Sequence, residues 1–270
     1  MNEYPEALTI AGTDSGGGAG MMADIKTMQA CHVFSTSVVV GVTAQNTIDV
    51  QRVLPLPLEM VDAQFKSIAD DFVIKAAKTG ALFDAEHVHN VAQNIQRYSL
   101  ENLVVDPVMV AKGGAKLLTD DAIDTVITEL IPLADIITPN LPEAETIVKH
   151  SITDRESTKR AAKEIQQLGA KNVVLKGGHS NGPKNDDYVL LADGSDFWMS
   201  GQHVDSKRKH GTGDTLSSVM VAELAKGHSV KMAIQTAKQF MNEILQHEIH
   251  VGQGHGPLNH WGAENSNVKI

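Results

Sequence analysis

The stretch Asn102-Leu103-Val104-Val105-Asp106 decides the fold class of this chain. It is a short apolar run that ends at an acidic residue, and similar runs lie at 38–40 (Val-Val-Val) and 136–137 (Ile-Ile). Continuous apolar runs of this length are typical of strands buried on both faces. Amphipathic segments with helical spacing separate them. The pattern therefore predicts a parallel sheet covered by helices on both sides.

The same alternation runs through the whole chain. Predicted strands cover residues 7–12, 37–43, 74–79, 102–106, 135–138, 172–176 and 188–192. Predicted helices cover residues 20–31, 58–71, 85–98, 120–130, 158–168, 212–225 and 230–246. Because no change in composition and no long linker divides the 270 residues, we predict one α/β domain over residues 1–270. Its expected architecture is a three-layer αβα sandwich around a mostly parallel sheet.

Composition narrows the class of protein. The formal net charge of -10 argues against non-specific binding to nucleic acid or to anionic membranes, both of which need a basic surface. Cys31 is the single cysteine, so an intramolecular disulfide and a cysteine-based metal site are excluded. The polar N-terminus and the lack of long apolar runs favour a cytoplasmic protein without a membrane partner.

Polar and glycine-rich residues follow six of the predicted strands. In open parallel α/β sheets, ligands bind at the carboxyl ends of the strands. The segments at these ends are Gly12-Thr13-Asp14, Ala44-Gln45-Asn46, Thr79-Gly80, Asp106-Pro107, Pro139-Asn140 and Lys176-Gly177-Gly178. We therefore expect a functional site at this edge of the sheet.

The segment KHGTGDTLS (209–217) carries the clearest chemistry. Gly211 and Gly213 allow backbone N–H groups to converge on an anion, and a helix N-terminus adds partial positive charge. Asp214 then stands where a base would take a proton from a hydroxyl that attacks a phosphoryl group. The alternative is an ordinary helix start that Asp214 or Thr215 caps.

Three charged residues at strand ends fit the same chemistry. Asp106 and Glu143 are candidate ligands for Mg²⁺, which proteins often hold with one or two carboxylates, water and phosphate oxygens. Lys176 ends an apolar strand and would reach a transferring phosphate. For Glu143, helix capping is the competing interpretation.

Two further features point to a flat, polar substrate. The turn SGGGAG (15–20) is neither a phosphate loop ending in Gly-Lys-Ser/Thr nor a dinucleotide fingerprint. It would let the backbone close over a flat ligand with Asp24 facing the site, unless Asp24 points to solvent. The amide of Gln45 matches the ring nitrogen and exocyclic amine of an aminopyrimidine, unless it satisfies loop backbone.

Taken in order along the chain, these motifs resemble those of the bacterial hydroxymethylpyrimidine/phosphomethylpyrimidine kinases of thiamine biosynthesis. The matching segments are 7–14, 17–20, 23–24, 43–47, 106–112, 138–144, 176–179, 210–213 and 254–257. The resemblance implies a ribokinase-like fold and ATP with Mg²⁺. It also implies phosphorylation of 4-amino-5-hydroxymethyl-2-methylpyrimidine and then of its monophosphate, by a homodimer.

The resemblance also implies roles for individual residues. Lys176, Gly211 and Gly213 would belong to the catalytic group, together with Asp214, which the residues themselves predict as the base. ATP would contact Asn140, Lys176 and Thr212, and the metal would be held by Glu143 and Asp106. The pyrimidine would be bound by Gln45, Asp24, Ala19, Thr43, Gly80 and Val108.

Three positions depart from the family pattern. Asp214 stands where many members have cysteine, Ala81 replaces a methionine that packs on the pyrimidine, and Ser15-Gly16 replaces Pro-Ser. The main alternative is a pyridoxal kinase, although one bacterial branch of that family has cysteines where this chain has Ala111 and Asp214. A non-catalytic pyrimidine-binding protein would not need Asp214, Lys176 and both loop glycines.

Overall fold

The computed structural model of the protein describes residues 4–109, 118–177, 184–202 and 209–265. Its strands are β1 (Glu6–Gly12), β2 (Phe34–Gln45), β3 (Val50–Pro55), β4 (Ile74–Thr79), β5 (Leu103–Val105), β6 (Ile136–Ile137), β7 (Asn172–Leu175), β8 (Lys184–Leu190) and β9 (Asp196–Gln202). All of these strands belong to one sheet in the order β3-β2-β1-β4-β5-β6-β7-β8-β9.

Six central strands, from β2 to β7 in the sheet, run parallel to their neighbours. The strand β3 pairs antiparallel with β2, and β8 and β9 are added antiparallel beyond β7. The prediction of a mostly parallel sheet is therefore confirmed. Because parallel strands share a direction, their carboxyl ends meet at one edge.

The helices are α1 (Gly20–Ala30), α2 (Leu58–Ala69), α3 (Ala85–Arg97), α4 (Asp120–Thr125), α5 (Leu141–Val148), α6 (Arg155–Gln167), α7 (Thr212–Ala225) and α8 (Val230–Ile244). A π-helical turn (Val126–Leu130) and a 3-10 turn (Ile131–Leu133) extend α4. None of the described helices is both long and apolar enough to span a lipid bilayer.

Alternate residues of the strands face two separate cores. Leu8 and Val105 belong to the core under α2 to α6, whereas Ala7 and Val104 belong to the core under α1, α7 and α8. This is the two-sided burial expected of parallel strands, and it makes the molecule a three-layer αβα sandwich. Every residue from Thr215 to Ala225 of α7 is buried, so this helix lies in the middle of its layer.

The sequence pattern missed the strands β3 and β9 and the helix α5, and several predicted elements, among them α6 and β8, have different bounds. The strands β3 and β9 lie at the two edges of the sheet. In Val50–Pro55, polar and apolar residues do not alternate, and the apolar Val53 and Leu54 are exposed. The helix α5 has only eight residues, too few for a periodic signal. The helix α6 begins at Arg155 rather than 158, because Asp154 and Ser157 form a capping box. The strand expected at 188–192 covers Lys184–Leu190.

Candidate active site

The carboxyl ends of the parallel strands gather the predicted polar residues at one edge. Asn140 and Lys176 lie side by side there, joined by an isolated parallel bridge. The backbone N–H of Lys176 donates to the Pro139 carbonyl at 2.8 Å, which fixes the end of β7 beside the start of α5. The structure thus brings together residues that are far apart in the sequence.

The glycine loop before α7 packs tightly against the glycine turn before α1. Gly211 has a φ of 85°, and a Cβ at this position would lie 2.1 Å from the Gly18 carbonyl oxygen. Only glycine satisfies both conditions without strain. No side chain caps α7 at Gly211, so the alternative of ordinary side-chain capping at this helix start is not realised. The backbone N–H groups at the start of α7 are left to face the site.

An ion pair borders this loop. Nζ of Lys176 lies 3.0 Å from Oδ1 of Asp106, whose side chain also accepts from the Thr138 hydroxyl at 3.2 Å. A Cβ on Gly213 would lie 3.1 Å from Oδ2 of Asp106 and 3.4 Å from Nζ of Lys176. Burial alone would lower the pKa of Lys176, but Asp106, Glu143 and Asp214 raise it above the ordinary value. Lys176 is therefore a permanent positive charge beside the loop.

Asp214 lies in the first turn of α7 with its carboxylate directed to the start of α1. It accepts a hydrogen bond from the backbone N–H of Gly20. Burial, aided by the negative charges of Asp24 and Asp106, raises the pKa of Asp214 to about 6, although Lys78 acts against this. A carboxylate with a pKa near 6 is ionised at neutral pH and more basic than an exposed one, which suits a proton acceptor.

Glu143 takes part in a capping box, so the capping interpretation is correct for this residue. Its backbone N–H donates to the Asn140 side chain at 2.9 Å, and its Oε2 accepts from the Asn140 N–H at 2.8 Å. Burial, with the nearby charge of Asp106, raises the pKa of Glu143 to about 7, while Lys176 and the N–H groups of Asn140 and Met109 lower it.

Capping does not remove Glu143 as a metal ligand, because each carboxylate oxygen has a second lone pair. The charge of Asp106 raises the pKa of Glu143, so the two carboxylates lie near each other and form a donor set that a divalent cation fits. No three histidine, cysteine or acidic side chains cluster as a metal site among the described residues. A cation at Asp106 and Glu143 would therefore depend on phosphate oxygens and water for its other ligands.

Asp24 does not face the open site, contrary to the expectation from the sequence. It is fully buried, with Oδ1 2.5 Å from Nζ of Lys78 and 2.8 Å from the Ser218 hydroxyl. Its Oδ2 accepts from the Thr9 hydroxyl at 2.6 Å. The carboxylate is occupied by partners from β4, α7 and β1, because a buried ion needs compensation of this kind. Asp24 therefore has a structural role beneath the site, where it joins α1 to β4, β1 and α7.

Gln45 lies at the end of β2 within a network of polar side chains. Its Nε2 is 3.2 Å from Nε2 of His210, and its Oε1 is 3.4 Å from the Thr43 hydroxyl. The same ring nitrogen of His210 lies 3.0 Å from Oδ2 of Asp14. Asp14 also accepts from the backbone N–H groups of Gly16, Gly18 and Ala19, which shape the glycine turn. The glycine turn, Gln45 and His210 are thus joined through Asp14 in one network of polar contacts.

The family model described as phosphomethylpyrimidine kinase matches residues 14–259. The chain belongs to this family of kinases. Over 97% of its length it is 47% identical to the hydroxymethylpyrimidine/phosphomethylpyrimidine kinase of Haemophilus influenzae, of which it covers 98%.

Solved structures agree with this family. The chain resembles a phosphomethylpyrimidine kinase from Clostridium difficile, at 38% identity and a TM-score of 0.78 over 88% of this chain and 98% of the other. It also resembles the Bacillus subtilis pyridoxal kinase determined as an ADP complex, at 33% identity and a TM-score of 0.91 over 98% of this chain and 100% of the other. These neighbours confirm the ribokinase-like fold.

The remaining residues predicted for pyrimidine binding are buried or half-buried. Thr43 is half-buried and donates its hydroxyl to the Thr13 carbonyl at 2.8 Å. Gly80 is buried and donates its N–H to the Ile10 carbonyl at 2.9 Å. Ala19 and Val108 are half-buried, as is Thr212 in the first turn of α7. The parts of the family motifs at 110–112 and 178–179 lie outside the described residues.

The position of the replaced methionine has a large neighbour. Ala81 is half-buried, and its carbonyl accepts from the Gly12 N–H at 3.0 Å. Two residues on, the ring of Phe83 lies where a Cβ on Gly12 or Gly41 would come within 2.4 or 2.5 Å of it. Phe83 has a φ of 74°, unusual for a residue with a side chain. The position where the family has methionine is therefore two residues from Phe83, whose aromatic ring packs on Gly12 and Gly41.

Sequence reasoning assigned no role to three polar residues of this kinase. Asp14, Lys78 and His210 are each buried or nearly so, and each pairs with a residue more than 50 positions away or with several backbone groups. Asp14 and His210 lie within motifs shared with the family, and Lys78 lies near the end of β4. The only signal was their place at or near strand or helix ends, and this does not reveal the partner.

Proposed function

We propose that this kinase transfers the γ-phosphoryl group of ATP to the hydroxymethyl oxygen of 4-amino-5-hydroxymethyl-2-methylpyrimidine, and then phosphorylates the monophosphate. The family membership supports the substrate class. One observation of the site carries the proposal: Asp214, with a pKa of about 6, stands at an uncapped glycine loop beside the Lys176–Asp106 pair. This is the arrangement that phosphoryl transfer to a hydroxyl requires.

Asp214 acts as the base in the first reaction. As the hydroxymethyl oxygen attacks the γ-phosphorus, its proton passes to the Asp214 carboxylate. The new O–P bond forms while the bond from that phosphorus to the β-phosphate oxygen breaks, and ADP leaves. The hydrogen bond from the Gly20 N–H holds the carboxylate in place.

Lys176 and the backbone N–H groups of Gly211 and Gly213 stabilise the charge that develops on the transferring group. Their effect is greatest in the transition state because they are fixed before the reaction begins. Asn140 and Thr212, at the starts of α5 and α7, contact the ATP phosphates. These roles fit a chain whose overall charge of -10 repels polyphosphate, since the attraction must be local.

Asp106 and Glu143 would hold Mg²⁺, which would neutralise phosphate charge when bound. Gln45 reads the aminopyrimidine, with Ala19, Thr43, Gly80 and Val108 around it. Asp24 positions α1 and α7 from beneath and does not touch the substrate. A cytoplasmic location, which the single cysteine favours, stays a prediction.

We further propose a homodimer that forms through the β2–β3 edge of the sheet. Large apolar side chains are exposed together on this hairpin and the helix that follows it: Val42, Ile48, Val53, Leu54 and Met60. Edge strands with exposed apolar residues are prone to pair with another chain. A second copy of the same chain would cover this surface.

The decisive experiment is an ADP-release assay with the hydroxymethylpyrimidine, its monophosphate and pyridoxal offered in parallel. We expect turnover of both pyrimidines, and the Asp214→Asn variant serves as the matched control for catalysis at this site. Pyridoxal kinase is the second candidate, since a structural neighbour with a TM-score of 0.91 is a pyridoxal kinase. Faster turnover of pyridoxal than of either pyrimidine would favour that candidate and reject the first.

A further inference from the structure

A single ring nitrogen of His210 contacts two side chains at once. Its Nε2 lies 3.0 Å from Oδ2 of Asp14 and 3.2 Å from Nε2 of Gln45. We propose that His210 is a positioning residue that holds the Gln45 amide in one of its two orientations. Through that amide, His210 selects amino-pyrimidines against oxo-pyrimidines. This inference rests on the proposed role of Gln45 in binding the pyrimidine.

Asp14 determines which ring nitrogen of His210 carries a proton. The side chain of Asp14 is 3% exposed and accepts three backbone N–H groups, from Gly16, Gly18 and Ala19. Burial opposes its charge, but the hydrogen bonds from His210 and these backbone groups lower its pKa, so it is a carboxylate that only accepts. Nε2 of His210 must therefore carry the proton and donate it to Asp14.

When Nε2 of His210 carries a proton, it is a hydrogen-bond donor, and so is the Nε2 amide group of Gln45. Their contact at 3.2 Å then joins two donors and cannot be a hydrogen bond. A half turn of the amide exchanges its oxygen and nitrogen without changing its shape. The oxygen of Gln45 then shares the single Nε2–H of His210 with Asp14 in a three-centre hydrogen bond, and the donor clash is removed.

The contact on the other side of the amide favours the same half turn. Thr43 gives its one hydroxyl proton to the Thr13 carbonyl at 2.8 Å. Its oxygen can therefore only accept toward Gln45, which lies 3.4 Å away. The turned amide places an N–H group there. Two independent neighbours thus require the same orientation of Gln45.

The ring of His210 is itself held firmly in place. A Cβ on Gly18 would lie 2.8 Å from Cδ2 of His210, so the ring fills the space above that glycine. The backbone N–H of His210 donates to the Gly256 carbonyl at 3.2 Å, and Gly211 with its left-handed backbone follows directly. The same residue therefore anchors the amide and the start of the anion loop.

A fixed amide offers the substrate one N–H and one carbonyl lone pair in a fixed order. The 4-amino ring presents a donor on its amine and an acceptor on the neighbouring ring nitrogen. The 4-oxo ring presents the reverse, an acceptor on oxygen and a donor on the ring nitrogen. Only one of the two rings pairs with an amide that cannot turn, and unpaired buried groups weaken binding strongly.

The test compares kcat/KM for 5-hydroxymethyl-2-methylpyrimidine rings that carry a 4-amino or a 4-oxo group. In the wild type we expect a strong preference for the amino ring, and in His210→Phe we expect this preference to fall about 10- to 100-fold, chiefly through KM. His210→Gln places an N–H group at a similar distance from the backbone, so this variant should recover most of the preference. His260→Phe removes a second buried histidine, bonded to Thr215 at 3.0 Å, and should leave the preference unchanged.

An unchanged preference in His210→Phe, with KM for the amino ring also unchanged, would overturn the inference. If the wild type phosphorylates neither ring, the proposed function fails instead, so the two failures are distinct. If a variant does not fold, a measurement on the wild type still tests the proposal. Nitrogen-15 NMR of the ring should show the proton on Nε2 of His210, and a proton found on Nδ1 alone would overturn the proposal.

Discussion

At the scale of single residues, Asp214 gains its chemical character from burial rather than from its type. An exposed aspartate is a poor base at neutral pH, because its pKa is near 3.9. In this site burial raises the pKa of Asp214 to about 6, and Lys78 keeps it from rising further. The position matters as much as the pKa, since the loop glycines and Lys176 lie next to it.

Asp214→Asn should reduce kcat by about 10²–10⁴-fold, because the amide keeps the shape but cannot accept the proton. In the wild type, kcat/KM should fall as pH drops through about 6, where Asp214 becomes protonated, and should level off above it. A pH profile of both proteins checks this. An Asn variant with near-normal turnover, or a wild type without the acid limb, would contradict the assignment.

Lys176→Met should lower kcat by about 10²–10³-fold while changing the KM for the pyrimidine much less, since the ammonium acts mainly in the transition state. Steady-state kinetics at saturating ATP measures both constants. Lys171→Met is a matched control, because Lys171 lies just before β7, at the opposite end of that strand, and pairs with Asp135 at 2.6 Å. Loss of pyrimidine binding with normal kcat would place Lys176 in the substrate pocket instead.

Ala81→Met should tighten binding of the hydroxymethylpyrimidine, because a buried methionine contributes about 1.5–3 kcal/mol of apolar contact. It should also reduce any turnover of pyridoxal, whose ring is bulkier. Titration calorimetry measures the affinity. Equal affinity in both proteins would mean that Phe83, whose ring packs on Gly12 and Gly41, already supplies the contact.

At the scale of elements, one buried ion pair joins four of them beneath the site. Asp24 of α1 binds Lys78 of β4, Thr9 of β1 and Ser218 of α7, and both members of the pair are fully buried. Nζ of Lys78 also lies 3.5 Å from the Asp214 carbonyl oxygen. The pair therefore sets the relative positions of the starts of α1 and α7 at the candidate site.

Lys78→Met should destabilise the protein by about 3–5 kcal/mol, because it leaves the Asp24 carboxylate buried without a counter-ion. Chemical denaturation measures the loss. The double variant Lys78→Met with Asp24→Leu should recover part of it, since the uncompensated charge is gone. Lys66→Met, at an exposed pair with Asp70, should unfold like the wild type. A stable single variant would show that the pair contributes little.

At the scale of the whole molecule, charge and exposed surface have different consequences. The net charge of -10 forces polyphosphate binding onto a few local cations and backbone N–H groups. The exposed apolar side chains of the β2–β3 edge, with Ile48 69% and Leu54 56% exposed, instead favour association with a second copy.

Leu54→Asp should shift the protein from dimer to monomer, because a charge would be buried at the proposed interface. Analytical ultracentrifugation measures the mass in solution. Leu168→Asp is the matched control, since Leu168 is also exposed but lies at the end of α6. A monomeric wild type, or a Leu54→Asp variant that stays dimeric, would reject this interface.

The sequence by itself determined the sheet, its direction and the edge that carries the chemistry. Apolar runs such as Leu103–Val105 and the polar residues after them depend on local burial, which periodicity reports directly. The sequence also predicts Gly211 and Lys176 as neighbours of a bound anion, because glycines at a helix start and a charge at a strand end have few other uses, and this stays a prediction. The edge strand β3 and the short helix α5 could not, since neither has a periodic pattern.

Only the tertiary structure decided which partner each polar side chain has. Asp14 and Asp24 are both aspartates near the glycine turn 15–20, yet Asp24 is paired with Lys78 and Asp14 with His210. Glu143 caps α5, and Asp214 owes its pKa of about 6 to burial among side chains from β4 and α1. Such contacts join residues far apart in the sequence. Their energies depend on distance and on the exclusion of water, and neither is present until the sheet and its helices have packed together.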